Sequence, residues 1–384
     1  MKFFSALLLI TIIVLSAGCN NSQEEQKTEA VDLSIDQEAT AETVALYNNL
    51  KEVAKTHVLY GHQDDLAYGY SWWAEEGRSD VKEVTGSYPA VYGWELGNLR
   101  QDTDVNLDGV SFEKMKGWIQ EGYERGGVIT IAWHMNHPVT DGDSWDRTPA
   151  VSAILPGGEE HEKFNNWLDK FAVYVTDLRG KDGELIPVIF RPYHEHTGSW
   201  FWWGDEQTTV EEYVALWRYT VEYLRNEKQV HNLLWAYSPD GQSGRALSKY
   251  FEKYPGDDYV DILGLDDYGS LNDRDPGEFS DDLAWLVEEA KKRDKIPALT
   301  ETGVETIPNE NWWTEQVLVA LESNPKAKGI AYVLTWRNAN YEREQREHFY
   351  ASHPEHPSAP DMKAFRDTEL VMFEDELPDL YTLD

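Results

Sequence analysis

The chain predicts an α/β fold, a closed (β/α)8 or TIM barrel, from two regularities. Eight short apolar runs alternate with helical stretches, and each run gives way to polar or aromatic residues at its C-terminal end. The runs are 57–60, 90–94, 128–133, 186–190, 233–237, 260–265, 296–300 and 330–335. They are short and rich in β-branched residues, as strands buried on both faces must be. Between them, segments such as 211–225 and 281–293 repeat apolar residues at three- and four-residue spacing, the period of a helix packed on one side. No linker interrupts the alternation after Thr40, so residues 41–384 form one catalytic domain.

In such a barrel, function collects just past the C-terminal ends of the strands. In chain order those places hold Gly61-His62-Gln63-Asp64-Asp65, Glu95, His134 with Asn136, His194-Glu195, Ser238-Pro239-Asp240, Asp266-Asp267-Tyr268, Glu301 and Trp336-Arg337-Asn338. A carboxylate, histidine or arginine stands at or just past all eight. The fourth is the richest. From Arg191 to Trp203 it reads Arg-Pro-Tyr-His-Glu-His-Thr-Gly-Ser-Trp-Phe-Trp-Trp, a glutamate among basic residues followed by flat apolar rings suited to stacking on sugars. A structural ion pair between Arg191 and Glu195 is the plainer reading of that carboxylate. Glu301 ends the seventh run with no basic neighbour in sequence. Two carboxyls facing each other across a barrel mouth are the machinery of glycoside hydrolysis, one to protonate the leaving oxygen and one to attack or to activate water.

Composition narrows the partner. The chain has 34 basic and 70 acidic residues and a formal charge of -36, which repels phosphate backbones, anionic lipids and polyanionic glycans. Neutral substrates remain, and nucleic acid is excluded. Residues 1–18, with Lys2, an apolar run from Phe3 to Leu15 and Ser16-Ala17-Gly18 before Cys19, resemble a bacterial lipoprotein signal. Ser16 stands where that pattern usually has leucine. The reading implies export, acylation of Cys19, and anchoring to the cell envelope, the outer membrane or its surface; the membrane is touched only through that lipid. Residues 19–40, polar and acidic with Gln23-Glu24-Glu25 near the start, read as a flexible tether. Cys19 is the only cysteine, so neither an internal disulfide nor a thiolate metal site can form.

These motifs together resemble family 26 of the glycoside hydrolases, from Gly61-His62-Gln63-Asp64-Asp65 to Trp336-Arg337. The most specific is His194-Glu195 followed by Trp200 and Trp202-Trp203-Gly204. The resemblance implies a retaining endo-1,4-β-mannanase with Glu195 as acid/base and Glu301 as nucleophile. It implies that His194 binds sugar near the nucleophile, that Tyr268 orients Glu301 and that Asp266 supports the arrangement. Trp200 and Trp336 become aromatic walls, and His134 and Arg337 contacts to sugar hydroxyls. It implies no cofactor, no metal, and a monomer acting on neutral β-mannan. His196-Thr197 departs from the Met-Asn frequent in the family and would shape a subsite. Cleavage of another β-glycan, exo release of mannobiose, and a glycan-capturing lipoprotein without catalysis stand as alternatives.

Three further stretches carry expectations. His194-Glu195-His196 is poorly built for metal, because alternate residues of an extended segment point opposite ways. Asp104-Val105-Asn106-Leu107-Asp108-Gly109 imitates the opening of a calcium loop, yet its twelfth position is Met115, which favours a turn before a helix capped by Ser111. Trp72-Trp73 and Trp312-Trp313 fall in loops on the active face, where one pair is expected to line an outer sugar subsite. The tail from His353 is expected to close the barrel or wrap its base.

Overall fold

A computed structural model describes residues 34–100, 103–241 and 246–383. Cys19, the segment 1–18 and the first part of the tether lie outside the described residues. Eight parallel strands form the barrel: β1 Val58–Gln63, β2 Val91–Glu95, β3 Val128–Ala132, β4 Val188–Arg191, β5 Leu233–Tyr237, β6 Ile262–Asp267, β7 Ile296–Thr302 and β8 Tyr332–Thr335. Each pairs with the next in sequence, and β8 closes on β1 with Leu59 opposite Tyr332 and His62 opposite Thr335. All eight expected strands exist. Their limits move by local chemistry: β4 starts only at Val188, beyond Pro187, which has no N–H to give, while β7 extends to Thr302 and so includes Glu301.

Leu59, Val91, Val128, Ile189, Leu234, Ile296 and Tyr332 pack in one apolar cluster with Leu46, Tyr47 and Leu50 of the helix Ala41–Val53. That helix starts at Thr40, whose hydroxyl accepts the Thr43 N–H. Residues 34–40, expected to belong to the flexible tether, are held against the barrel. Ile35 N–H donates to Asp261 Oδ1 at 2.8 Å and Asp36 pairs with His231 at 2.8 Å, so residues 34–40 dock beside the strand starts. Buried partners outweigh local polarity there. The tail wraps as expected: Val371–Met372 adds a short parallel strand to β1, and Phe373 stacks on Tyr60 at 4.9 Å.

The long helices follow apolar spacing, with caps that composition hides. Val210–Glu222 opens with a capping box in which Thr209 and Glu212 satisfy each other's N–H groups, and it ends in a π turn, Tyr223–Glu227. Pro276–Lys292 begins five residues before the periodic stretch because Asp275 caps it and Pro276 fills its first turn. Among the described residues no helix is long and apolar enough to cross a membrane.

Candidate active site

The backbone leaving β4 turns sharply. Tyr193 and Glu195 adopt positive φ of 48° and 54°, a region that disfavours side chains and costs on the order of 1–3 kcal/mol per residue. The surroundings impose it: Tyr213 Oη donates to the Tyr193 carbonyl at 2.9 Å, and the Glu195 N–H donates to the Ser238 carbonyl at 2.8 Å. The kink sends His194 and Glu195 into the barrel mouth and turns His196 away.

Glu301 comes from within β7. Its Oε2 pairs with Arg191 of β4, and its Oε1 accepts Tyr268 Oη at 2.6 Å. Arg191 also holds Asp266 at 2.5 Å, while Asp266 accepts Ser238 Oγ at 3.0 Å and Thr300 Oγ1 at 2.6 Å. Burial alone would favour a neutral Arg191; the charges of Asp266 and Glu301 outweigh it and keep the guanidinium protonated. Arg191 therefore pairs with Glu301 and Asp266, and not with Glu195.

Among the described residues no cation forms an ion pair with Glu195, since Arg191 gives its contacts to Asp266 and Glu301. Its Oε2 accepts the Trp200 indole N–H at 2.7 Å. Burial, and after it the charge of Glu301, push its carboxyl well above the usual range. Thus one carboxylate is held by a cation and a phenol while the other is driven toward the acid form, the separation a double displacement requires.

His134 stacks on Trp145 with ring centroids 5.3 Å apart, and its Nε2 lies 3.3 Å from that of His194. Burial and Arg191 hold His194 well below the ordinary histidine range, so its ring is neutral. Asp108, His134, Trp145, Trp336 and Arg337 line a hollow of about 480 Å³. Arg337 is anchored there by Glu344 at 2.6 Å and Asp108 at 3.2 Å. A second hollow, about 420 Å³, lies between Tyr268, whose hydroxyl bonds Glu301, and Asn272, Glu305 and Tyr350. A larger one of about 630 Å³ sits near the strand starts, among Asp36, Glu38, Arg225 and Lys295, away from these carboxyls.

Several expectations need correction. Phe201, Trp202 and Trp203 are buried and not sugar platforms, leaving Trp200 as the half-buried ring of that cluster. Trp202 and Trp203 donate instead to the carbonyls of Met135 and His194 and brace the loop that carries Glu195. Of the two tryptophan pairs, Trp72, Trp312 and Trp313 are buried and only Trp73 keeps partial exposure. Trp312 Nε1 donates to Asn272 Oδ1, Trp313 Nε1 to Ser352 Oγ, and Trp72 to buried Asp80. Trp73 stacks on Tyr68 under Arg343. His196 is buried between Tyr213 and Tyr237, so it shapes no subsite directly. The calcium-like stretch is a turn: Asn106 Oδ1 accepts the N–H groups of Asp108 and Val110, and Ser111 caps Phe112–Glu124 as expected. Trp145, 48% exposed, is the wall residue sequence reasoning missed. A lone tryptophan in a polar loop gives no periodicity to find it by.

Fold and site together define an eight-stranded parallel barrel with two glutamates of unlike surroundings at its mouth. The glycosyl hydrolase family 26 model matches residues 35–347, and the chain belongs to that family. A family 26 β-mannanase from Bacteroides ovatus superposes with TM-score 0.84 at 44% identity, covering 90% of this chain and 98% of that one. A family 26 protein from Muricauda sp. gives 0.83 at 33% identity, with 91% and 96% covered. A mannan endo-1,4-beta-mannosidase of Bifidobacterium adolescentis is 35% identical over 352 residues, 87% of this chain. The chain spans only 35% of that relative's length, and 54% of the length of a relative from Caldalkalibacillus mannanilyticus.

Proposed function

We propose that the protein is a retaining endo-β-1,4-mannanase acting on mannan, galactomannan or glucomannan. The observation carrying this reading is the unequal pair: Glu301 gripped by Arg191 and Tyr268, Glu195 pushed toward its acid form. Glu301 attacks the anomeric carbon as Glu195 gives its proton to the leaving oxygen, so the glycosidic bond breaks and a glycosyl ester forms. The ester removes the charge on Glu301, the pKa of Glu195 falls, and Glu195 takes a proton from the water that releases the sugar. Trp200, hydrogen-bonded to the acid, walls the leaving sugar; the hollow under Trp145, Trp336 and Arg337 receives the other side. The names of the family relatives favour mannan over other β-glycans. Anchoring to the cell envelope through Cys19 belongs to the same proposal and rests on the N-terminal sequence alone.

Digestion of galactomannan, glucomannan, β-1,3-xylan and barley β-glucan, with products sized over time, tests the substrate. Mixed-length manno-oligosaccharides from the start are expected. Mannobiose alone would mean exo action, and cleavage only of xylan or β-glucan would overturn the mannan assignment.

A further inference from the structure

Glu95, the last residue of β2, is completely buried, and both its oxygens are committed. Oε1 accepts the N–H groups of Gly97 at 2.5 Å and of His134 at 2.7 Å; Oε2 faces Nδ1 of the His134 ring at 2.7 Å. A carboxylate taking N–H groups only accepts, so Nδ1 of His134 carries a hydrogen; burial opposes and the Glu95 charge favours a proton on this ring, with the net direction upward, and above that raised pKa Nε2 of the neutral ring is a lone pair. That nitrogen faces Nε2 of His194 at 3.3 Å, which makes His194 the donor. The other nitrogen of His194, Nδ1, is buried with no hydrogen-bond partner among the described residues, and a hydrogen moved there would be a stranded donor.

We propose that Glu95 is a positioning residue that sets the tautomers of both cleft histidines. It keeps His134 Nε2 an acceptor and His194 Nε2 a donor, so that a sugar hydroxyl reaching the pair meets one of each. Glu95 touches no substrate itself; it acts through His134, which lines the hollow beside Trp145 and Trp336. Only the part concerning sugar rests on the mannanase reading.

Glu95→Gln is the informative change, because it preserves shape and reverses one bond. The amide oxygen can still accept the two backbone N–H groups, but the NH₂ now points at His134 Nδ1. The hydrogen is driven to Nε2, where it opposes the N–H of His194. Two-bond ¹⁵N–¹H spectra of the ring nitrogens, which need no substrate and are recorded above the raised His134 pKa so that the ring is neutral, should show His134 as Nδ1–H and His194 as Nε2–H in the parent. They should show both exchanged in Glu95→Gln, with the parent pattern kept in Glu95→Asp. Turnover of a manno-oligosaccharide should fall about ten- to a hundredfold in kcat/KM for Glu95→Gln. A parent spectrum with Nε2–H on His134 overturns the proposal even if the variant does not fold. So does a Glu95→Gln protein that loses activity with an unchanged spectrum, or exchanges tautomers with activity unchanged. A parent chain that cleaves no mannan refutes the substrate reading and leaves the spectral test standing.

Discussion

The strained turn at Tyr193 and Glu195 and the Arg191 clamp serve one end, which is to make two glutamates different. Residue-scale predictions follow from that inequality. Glu195→Ala and Glu301→Ala should each abolish turnover while the circular dichroism spectrum and melting point stay near the parent's; activity surviving in Glu301→Ala contradicts the assigned nucleophile. Glu195 is raised first by burial and then by the charge of Glu301, so its proton is lost as pH rises and activity should fall on the alkaline side. Glu301→Gln removes one of the raising charges. A ¹³C carboxyl titration should therefore show Glu195 ionising at lower pH in that variant. Trp145→Ala, which removes an exposed ring at the hollow's rim, should raise KM more than it lowers kcat, costing about 1–3 kcal/mol per stacked sugar if base-stacking is a guide. Both glutamates were legible from sequence because each follows an apolar run, Glu195 shortly past 186–190 and Glu301 directly after 296–300. Their unequal roles came only with the family resemblance, and the physical cause was not legible, since it comes from Arg191 reaching β7 and not its neighbour four residues on.

At the scale of elements, sequence read the strands well and the aromatic loops poorly. A buried parallel strand announces itself by an unbroken apolar run. Whether a loop tryptophan faces water or a partner depends on distant chain: Trp313 is covered by Ser352 and Phe365 from the tail, and Trp72 by Asp80 from the helix Asp80–Thr85. Trp313→Ala should accordingly destabilise the fold by about 3–5 kcal/mol in a denaturant titration, a value typical of core and unexpected for a surface subsite. Caps were read in part. Ser111 was visible before its helix, whereas the Thr209–Glu212 box was hidden in a polar run, and Thr209→Ala should cost about 1 kcal/mol in the same titration.

The whole molecule carries a formal charge of -36 and buries carboxyls in its core. Burial raises Asp261 and Asp267 to about 6 each. Between the unfolded value near 4 and that folded value, the native state binds protons that the unfolded chain does not. Their stabilisation is therefore present at low pH and lost as pH rises through about 6. Repulsion within so acidic a chain runs in the same direction. Melting by calorimetry should give a higher Tm near pH 5 than near pH 8, and added salt should narrow the gap by screening. The reverse order would mean that other groups dominate. Neither trend bears on the reaction itself, which a proton NMR time course of mannan digestion reads directly from the anomer of the newly released end. The β anomer should appear first and mutarotate afterwards, as double displacement at Glu301 demands. The α anomer appearing first would mean inversion by a single displacement, and the unequal glutamate pair would then have to be read another way.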